Sequence, residues 1–429
     1  MADRLLPPGY QIFDANGDPV SGALCWTYEA GTSTPKITYS DGGGTVPNAN
    51  PVVADSGGRF GNIFADYGDY RIVMQTSAGV TLFTADPVFS ADSAGTIPGS
   101  GFRNLLVNAD FSVDQRAATS IADDTYCLDC WYGLTQSANI TIEAQKNQLI
   151  GIPTSIRLLQ ANATAQRMGL AQIVEAANCR YLKNADVVLS GRVRCSVAAP
   201  VQYAILAWTG TSDAVTSDVV LDWASGSYTA GGFFLGSSIT VQAVGTITPA
   251  AGVWTDISTI TSTLSTVCNN VIVFFWTAGV AAQNVTLDLA DIQLEPGDTA
   301  TAFEQLPRDT ITYHCFRYYQ KSFSATTAPA QNTEPATAAS FFQPVGASTA
   351  FFGHQINLAA PLRTLVYTIT LYNPGAANAQ VRNSAASSDC TLSAAVISGT
   401  EKFLINATTP AGTTAGQRLF VHWTADASL

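Results

Sequence analysis

Segments in which apolar and polar residues alternate recur along this chain, and they constrain its fold more than any other feature. Between residues 187 and 197, side chains of one parity are apolar and those of the other are mostly polar or charged. The apolar set is Val187, Leu189, Val193, Cys195 and Val197. Successive side chains of a strand point to opposite faces, so this pattern predicts a strand with one buried face and one solvated face.

Other segments extend this interpretation to the whole chain. Residues 271–276 are continuously apolar, which predicts a strand that is covered on both faces. Near the C-terminus, apolar residues alternate with threonines at Leu365, Tyr367, Ile369 and Leu371. Residues 165–183 are the best helix candidate, although part of that segment is equally compatible with a strand. We therefore predict an all-β chain with a small N-terminal β-sandwich, a central jelly-roll β-sandwich and a C-terminal β-sandwich tip.

The charge of the chain limits its partners. Of its 429 residues, 47% are hydrophobic and only 12% are charged, and the formal net charge is −12. Lys and Arg, which face phosphates in nucleic-acid binders, are scarce and scattered, so we expect no nucleic-acid partner. No apolar run approaches the ~18 residues of a membrane span, so we expect no membrane insertion. High apolar content with few charges leaves surface that favours an oligomer.

Two small, polar, turn-prone stretches, residues 90–101 and 324–338, have the composition of joints. They lead us to predict an anchoring β domain at 1–89, a linker at 90–101, a jelly roll at 102–310 and a C-terminal β-sandwich tip at 311–429. No repeat of fixed period is recognisable, which argues against a solenoid.

Motifs that carry chemistry are weak throughout. Asp14, Asn16 and Asp18 resemble the start of a calcium loop, but the glycine and glutamate that complete such a loop are missing, so a turn between strands is the better interpretation. Cys127 and Cys130 form a lone C-x-x-C without the second pair that zinc requires. The histidines lie far apart, and no common nucleophile or phosphate-binding motif occurs. We therefore predict that the chain is not an enzyme.

Acidic residues near position 290 support two further hypotheses. Asp288, Asp291 and Glu295 lie on or beside one strand, and a polysaccharide hydrolase needs two carboxyl groups about 5–9 Å apart around one bond. Positions at the edge of the strand ladder, or a structural cation, explain the cluster equally well. If the first and last strands of the jelly roll meet, Asp110 lies near Asp288 or Asp291, and clusters of oxygen ligands favour Ca²⁺. A structural calcium at Asp110, Asp288 and Asp291 is the one cofactor left open.

Aromatic residues of the middle part are the candidates for sugar binding. An exposed flat ring can cover the apolar face of a sugar while nearby polar groups bond its hydroxyls. Trp223 and Tyr228 lie in a loop rich in Gly and Ser, where side chains are often exposed. Trp131 and Tyr132 form a second candidate pair, whereas Trp276 is expected in the core. The alternative for Trp223 and Tyr228 is packing beneath a loop.

Three blocks of the sequence resemble bacteriophage tail-fibre and related virion appendage proteins. The first block, residues 9–72, contains Gly17-Asp-Pro-Val-Ser-Gly-Ala, Thr27-Tyr-Glu-Ala-Gly-Thr-Ser-Thr-Pro and Asn50-Pro-Val-Val-Ala-Asp-Ser-Gly-Gly-Arg. The second, residues 103–308, resembles the carbohydrate-binding-module-type jelly roll of such fibres. It begins with Arg103-Asn-Leu-Leu-Val-Asn-Ala-Asp-Phe and ends near Leu289-Ala-Asp-Ile-Gln-Leu-Glu-Pro-Gly-Asp. The third block opens with Cys315-Phe-Arg-Tyr-Tyr-Gln-Lys-Ser.

This resemblance implies a homotrimer that joins other virion proteins through its N-terminal domain and binds the host surface further out. A gene-transfer-agent head spike would follow the same logic. We therefore expect a structural virion protein, assembled in the cytoplasm of a bacterial host, that attaches a particle to bacterial envelope polysaccharide without cleaving it. The alternatives are a purely structural collar or head decoration and a polysaccharide depolymerase.

Overall fold

The structure is a computed structural model, and it describes residues 3–65, 69–88, 103–149, 152–325, 327–333, 339–342 and 351–429. These residues form twenty-nine strands and two short helices, so the predicted all-β class is confirmed. The chain divides into two compact units, residues 1–101 and 102–429, and each is described by itself. Of the predicted joints, 90–101 and part of 324–338 lie outside the described residues. In the part of the chain that the structure describes, no helix is long and apolar enough to cross a membrane.

The N-terminal unit is a small β-sandwich. Its strands are β1 (Asp3–Arg4), β2 (Leu24–Glu29), β3 (Thr38–Tyr39), β4 (Val52–Val53), β5 (Phe64–Ala65), β6 (Tyr70–Gln75) and β7 (Thr81–Val88). They form a four-stranded sheet, β4-β2-β6-β7, and a three-stranded sheet, β1-β5-β3. Cys25 of β2 and Ala65 of β5 belong to one shared core. The predicted turn at Asp14 is confirmed, since its Oδ1 accepts the N–H groups of Asn16 and Asp18, both at 2.9 Å.

The central part is the predicted jelly-roll β-sandwich. Its elements are β8 (Ser120–Ile121), β9 (Thr125–Leu128), β10 (Trp131–Thr135), β11 (Ile140–Leu149), β12 (Ile152–Leu159), β13 (Met168–Val174), α1 (Ala176–Cys179), β14 (Asp186–Cys195), β15 (Val201–Trp208), β16 (Ile239–Ile247), β17 (Thr255–Asp256), β18 (Ile260–Thr263), β19 (Asn270–Thr277) and β20 (Thr286–Pro296). One sheet has the order β16-β15-β19-β13-β10-β9. The other has the order β17-β14-β20-β12-β11-β8, with β18 also paired to β14. The main core lies between these two antiparallel sheets.

Two of these strands match the sequence pattern. In β14, Val187, Leu189 and Val193 are buried in the main core. Strand β19 lies between β15 and β13, and all of its residues are buried, as the continuous apolar run predicts. The helix predicted at residues 165–183 is wrong over most of its length, because β13 pairs with β10 on one side and β19 on the other. Only residues 176–179 are helical there.

The C-terminal part is a second β-sandwich preceded by a helix. Its elements are α2 (Arg308–Phe316), β21 (Tyr319–Lys321), β22 (Ser340–Phe342), β23 (Phe351–Asn357), β24 (Thr368–Tyr372), β25 (Arg382–Asn383), β26 (Ser388–Asp389), β27 (Thr391–Ile397), β28 (Lys402–Thr408) and β29 (Leu419–Asp426). Strand β29 pairs with β21, β22, β24 and β25, and β23-β28-β27 forms a separate sheet. Apolar residues of both sheets share one core.

The boundary predicted at the start of the C-terminal part does not separate two compact units. The Nε2 of Gln115, in the jelly roll, donates to the carbonyl of Tyr319 at 3.0 Å. The hydroxyl of Tyr126 donates to the carbonyl of Leu429 at 2.9 Å. Both ends of the C-terminal part are therefore bonded to the jelly roll, and residues 102–429 behave as one unit.

Candidate functional site

The segment 209–238, which joins β15 to β16, covers the outer face of the six-stranded jelly-roll sheet, and we call it the cover. In the central strand β19, successive side chains divide between two cores. Val273 and Phe275 point into the main core, whereas Phe274 and Trp276 pack with apolar residues of the cover. The outer face of this sheet is therefore buried by the chain itself.

Trp223 and Tyr228 lie in the cover, and both are partly buried. Their ring centroids lie 5.7 Å and 5.3 Å from that of Phe233, with the planes close to perpendicular at 84° and 74°. Each also meets a ring of the sheet, Trp223 with Phe274 at 6.1 Å and Tyr228 with Trp276 at 5.4 Å. Edge-to-face contacts of this kind are favourable. The two rings are thus held in place from below while part of each remains in solvent.

The cover creates a negative electrostatic environment. It contains no Lys or Arg and three acidic residues, Asp213, Asp218 and Asp222. Burial raises the pKa of Asp218, and the charges of Asp123 and Asp124 raise it further. Arg363 lies 3.8 Å from Asp213 and balances the charge of that carboxylate. A ligand near Asp218 and Asp222 would meet carboxylate and hydroxyl acceptors, which suits a ligand that donates hydrogen bonds.

The structure contradicts Trp131 and Tyr132 as sugar-binding residues, because both side chains are 0% exposed. Trp131 lies in the main core against Phe111, with ring centroids 5.0 Å apart, and its Nε1 donates to the carbonyl of Asn108 at 3.0 Å. Tyr132 points to the opposite face of the sheet, where its ring lies 5.5 Å from that of Tyr126. Both faces of β10 are covered, so neither ring is accessible to a sugar and this prediction is wrong.

The prediction of Asp288 as a calcium ligand is wrong, and so is the hypothesis that it is a catalytic carboxylate, since arginines donate hydrogen bonds to both of its oxygens. Oδ1 accepts from Nε of Arg157 at 2.8 Å, and Oδ2 accepts from Nε of Arg194 at 2.7 Å, in a side chain that is 1% exposed. Glu295 is occupied as well, because its Oε1 accepts the N–H of Thr301 at 2.7 Å. Charge-assisted hydrogen bonds are costly to break, so Asp288 joins β12 and β14 to β20, and Glu295 fixes the loop that follows β20, instead of binding a cation or a substrate.

Asp110 and Asp291 are brought together as the sequence predicts. The N–H of Ile292 donates to the carbonyl of Ala109 at 3.3 Å, so the first and last segments of the jelly roll meet. Burial raises the pKa of Asp291, Arg192 opposes this from 3.7 Å, and the charge of Asp110 adds to the rise. Among the described residues, no three His, Cys, Asp or Glu side chains are grouped to hold a metal ion. Calcium at Asp110 and Asp291 stays a prediction.

The C-x-x-C pair is placed inside the fold. Cys127 is 0% exposed and Cys130 is 8% exposed. Burial raises the pKa of the Cys127 thiol to about 12, so it is protonated at neutral pH. Nucleophilic and metal-binding cysteines react as thiolates, and Cys127 is therefore a packing residue.

A groove with a volume of about 490 Å³ lies elsewhere in the same unit. Its walls are residues 104–110, the α1 segment with Tyr181, and α2 together with Arg317. Of the predicted site residues, only Asp110 lines it. Sequence reasoning missed this groove because its walls come from three distant segments and no local motif marks them.

Comparisons with known proteins found similar solved structures at low identity. No protein-family model matches the sequence, and no curated protein matches it. TmCBM61 in complex with β-1,4-galactotriose is 10% identical with a TM-score of 0.27, and the match covers 46% of this chain and 100% of that one. The CBM22-1 xylan-binding domain from Paenibacillus barcinonensis Xyn10C is 12% identical with a TM-score of 0.24, covering 42% and 94%.

A bacteriophage protein is among the similar structures. The enzymatically active domain of tailspike protein 4 from bacteriophage CBA120 is 8% identical with a TM-score of 0.26, and the match covers 45% of this chain and 21% of that one. Scores this low establish no function for the present chain. Its all-β class rests on the sheets described above.

Proposed function

We propose that this chain is a non-catalytic virion appendage protein that attaches a phage-like particle to polysaccharide of the bacterial envelope. The observation that carries the proposal is the arrangement of Trp223 and Tyr228. Both rings rest edge-on against Phe233, and both keep part of their surface in solvent. Aromatic rings fixed in this way offer apolar surface to a sugar without the entropy cost of ordering a loose side chain.

The surroundings of the two rings suit a neutral polysaccharide. Ser225, Ser227 and Thr229 lie between or beside them and carry hydroxyl groups that can donate to and accept from a sugar. The cover itself contains no Lys or Arg, and although Arg363 balances Asp213, the carboxylates of Asp218 and Asp222 repel an acidic sugar. The polysaccharide that we propose is therefore uncharged along the bound segment.

Assembly as a homotrimer would multiply weak sugar contacts through avidity. Strand β27 supports such an assembly, since this edge strand has no charged residue and exposes Leu392 (77%) and Val396 (46%). Copies of a chain with a net charge of −12 repel one another, and this repulsion is weakest where uncharged surfaces meet. The N-terminal unit, whose sequence resembles virion-anchoring modules, would join the other virion proteins.

The function is tested by incubating the purified full-length chain with envelope polysaccharides from a panel of bacteria, while binding and new reducing ends are measured together. Binding without new reducing ends is expected. Trp223→Ala and Tyr228→Ala should each weaken binding about five- to tenfold, because each removes one ring contact. Trp254→Ala is the matched control, since this partly buried tryptophan packs against Arg194 on the opposite sheet.

New reducing ends would contradict the absence of catalysis. If the chain binds none of the polysaccharides, the alternative of a purely structural collar or head decoration is favoured. The exposed edge strand β27 is the specific observation that supports this alternative.

Light scattering separates the oligomeric states: Val396→Lys on β27 should reduce the proposed trimer to smaller species. Thr81→Lys, on the edge strand β7 of the N-terminal unit, should leave it unchanged. A monomeric wild-type chain would contradict the trimer.

A further inference from the structure

The groove between residues 104–110 and α2 has the dimensions of a ligand site. Its volume of about 490 Å³ falls within the range of about 300–1,000 Å³ found for ligand pockets. Most of its lining side chains are apolar, among them Val107, Phe303, Leu306 and Ile311. Polar side chains stand among them, and none of the lining residues belongs to the cover.

The first wall of the groove is fixed by side chains that bond its backbone. The N–H of Val107 donates to Oε1 of Gln172 at 2.8 Å, and the carbonyl of Val107 accepts from Nε2 of the same residue at 2.9 Å. The N–H of Asn104 donates to Oε2 of Glu304 at 2.8 Å, and its side-chain amide donates to the carbonyl of Ile292 at 2.9 Å. A wall held in this way is preorganised, so a ligand does not have to order it.

The opposite wall is fixed by an ion pair. Arg317, which follows α2, donates to Glu175 from Nε at 2.9 Å and from Nη2 at 2.7 Å. The hydroxyl of Tyr318 donates to the same carboxylate at 3.2 Å. The guanidinium is thus held in place, and Glu175 balances its charge.

Tyr181 provides an aromatic ring at the rim. Its side chain is 88% exposed, whereas the large aromatic residues of the sandwich core are fully buried. Asn178, which is also exposed, lines the groove beside it. A flat ring next to an amide can cover the apolar face of a sugar and bond its hydroxyls.

The charges of the groove favour a neutral ligand that donates hydrogen bonds. Asp110 and Glu304 contribute carboxylates to its lining. Burial lowers the pKa of His314, so this imidazole is neutral at neutral pH and adds no cation. Anions are repelled by the two carboxylates, whereas hydroxyl groups can donate to them.

We propose that this groove binds a segment of a neutral oligosaccharide, as a carbohydrate site separate from the cover. The proposal rests on the carbohydrate-binding function proposed above. Because the two sites share no residue, each can be removed without touching the other.

The test uses the full-length chain and measures calorimetric binding of β-1,4-galactotriose, xylohexaose and cellohexaose, as well as retention on envelope polysaccharide. Tyr181→Ala removes the ring at the rim, and Ala177→Trp fills the groove from an exposed position. Each should weaken binding about tenfold or more. Tyr313→Ala is the matched control, because this tyrosine is 55% exposed on α2 and does not line the groove.

The outcomes separate the two proposals. Wild-type affinity in both Tyr181→Ala and Ala177→Trp would overturn the groove site and leave the carbohydrate function with the cover. A wild-type chain that binds neither the oligosaccharides nor any envelope polysaccharide would overturn the carbohydrate function itself, and the groove site with it. Weaker binding in these two variants, with Trp223→Ala unchanged, would make the groove the main site.

Discussion

The guanidinium of Arg116 pairs with the carboxylate of Asp426, which lies 310 positions further along the chain. Nη1 is 2.9 Å from Oδ2, and Nη2 is 3.3 Å from Oδ1. The guanidinium carbon also lies 4.1 Å from the centre of the Tyr319 ring, and the hydroxyl of Ser428 accepts from Nη2 at 2.7 Å. This pair joins the loop before β8 to the end of β29, which helps to make residues 102–429 one unit.

Removing either partner of this pair should destabilise the unit. Burial by itself raises the pKa of Asp426, but the charge of Arg116 and the hydrogen bonds of Arg116 and Ser428 more than offset it, and the pKa is lowered overall. We expect Arg116→Met and Asp426→Asn each to reduce the free energy of unfolding in urea by about 2 kcal/mol, because each removes charge-assisted hydrogen bonds from a partly buried partner. The double variant should lose much less than the sum, and strict additivity would contradict the coupling.

The pair should also respond to acid. A carboxyl group whose pKa is lower in the folded state than in the unfolded chain stabilises the fold above the unfolded pKa. This contribution is therefore present above about pH 4 and is lost as the pH falls through the folded-state pKa. The measurement is the free energy of unfolding in urea at a series of pH values. Below about pH 4, Asp426→Asn should lose less of this free energy than the wild-type chain, because the contribution of the Asp426 carboxylate is already absent.

Asp129 should have the opposite pH dependence. Burial raises its pKa to about 6, although Gln115 donates to it from both the backbone, at 2.7 Å, and Nε2, at 2.6 Å. Between about pH 4 and pH 6 the folded state then binds more protons than the unfolded chain, so stability falls as the pH rises. The fall should reach about 3 kcal/mol. It should be missing in Asp129→Asn and retained in the exposed control Asp298→Asn; equal slopes in all three chains would contradict this prediction.

Asp288 should matter for stability rather than for metal binding. Asp288→Asn leaves Arg157 and Arg194 without the carboxylate that joins them, so we expect a loss of about 3 kcal/mol in urea unfolding. Asp256→Asn is the matched control, because its ion pair with Arg192 is exposed and should contribute less than about 1 kcal/mol. A small effect at Asp288, or a calcium-dependent melting temperature that this substitution abolishes, would contradict the structural role.

Replacing Tyr132 by phenylalanine should not destabilise the protein and is expected to stabilise it. The Tyr132 hydroxyl is buried with no hydrogen-bond partner in the part of the chain that the structure describes, and such a group costs about 1–3 kcal/mol of desolvation. Tyr132→Phe should therefore raise the melting temperature or leave it unchanged. Tyr203→Phe should lower the melting temperature by the equivalent of about 1 kcal/mol, because the Tyr203 hydroxyl that it removes donates to the carbonyl of Ser258 at 2.7 Å. A marked loss of stability in Tyr132→Phe would show that its hydroxyl is bonded.

Strand signals were readable in the sequence because they depend on local periodicity. The alternation in β14 and the continuous apolar run in β19 follow directly from the directions in which successive side chains point. The same local reasoning failed at residues 168–174. A run of apolar residues there is compatible with helix or strand, and pairing with two distant strands determines which one forms.

Which aromatic residues reach solvent was decided only by the tertiary structure. Trp131 and Trp223 both look like candidates for sugar binding in the sequence, yet one lies in the core and the other in the cover. Asp288 likewise looks like a free carboxylate until the sheet places Arg157 and Arg194 on either side of it. Periodicity by itself therefore determined the all-β class, whereas burial, ion pairing and the groove depend on segments that meet only after folding, since each is a property of neighbours distant in the chain.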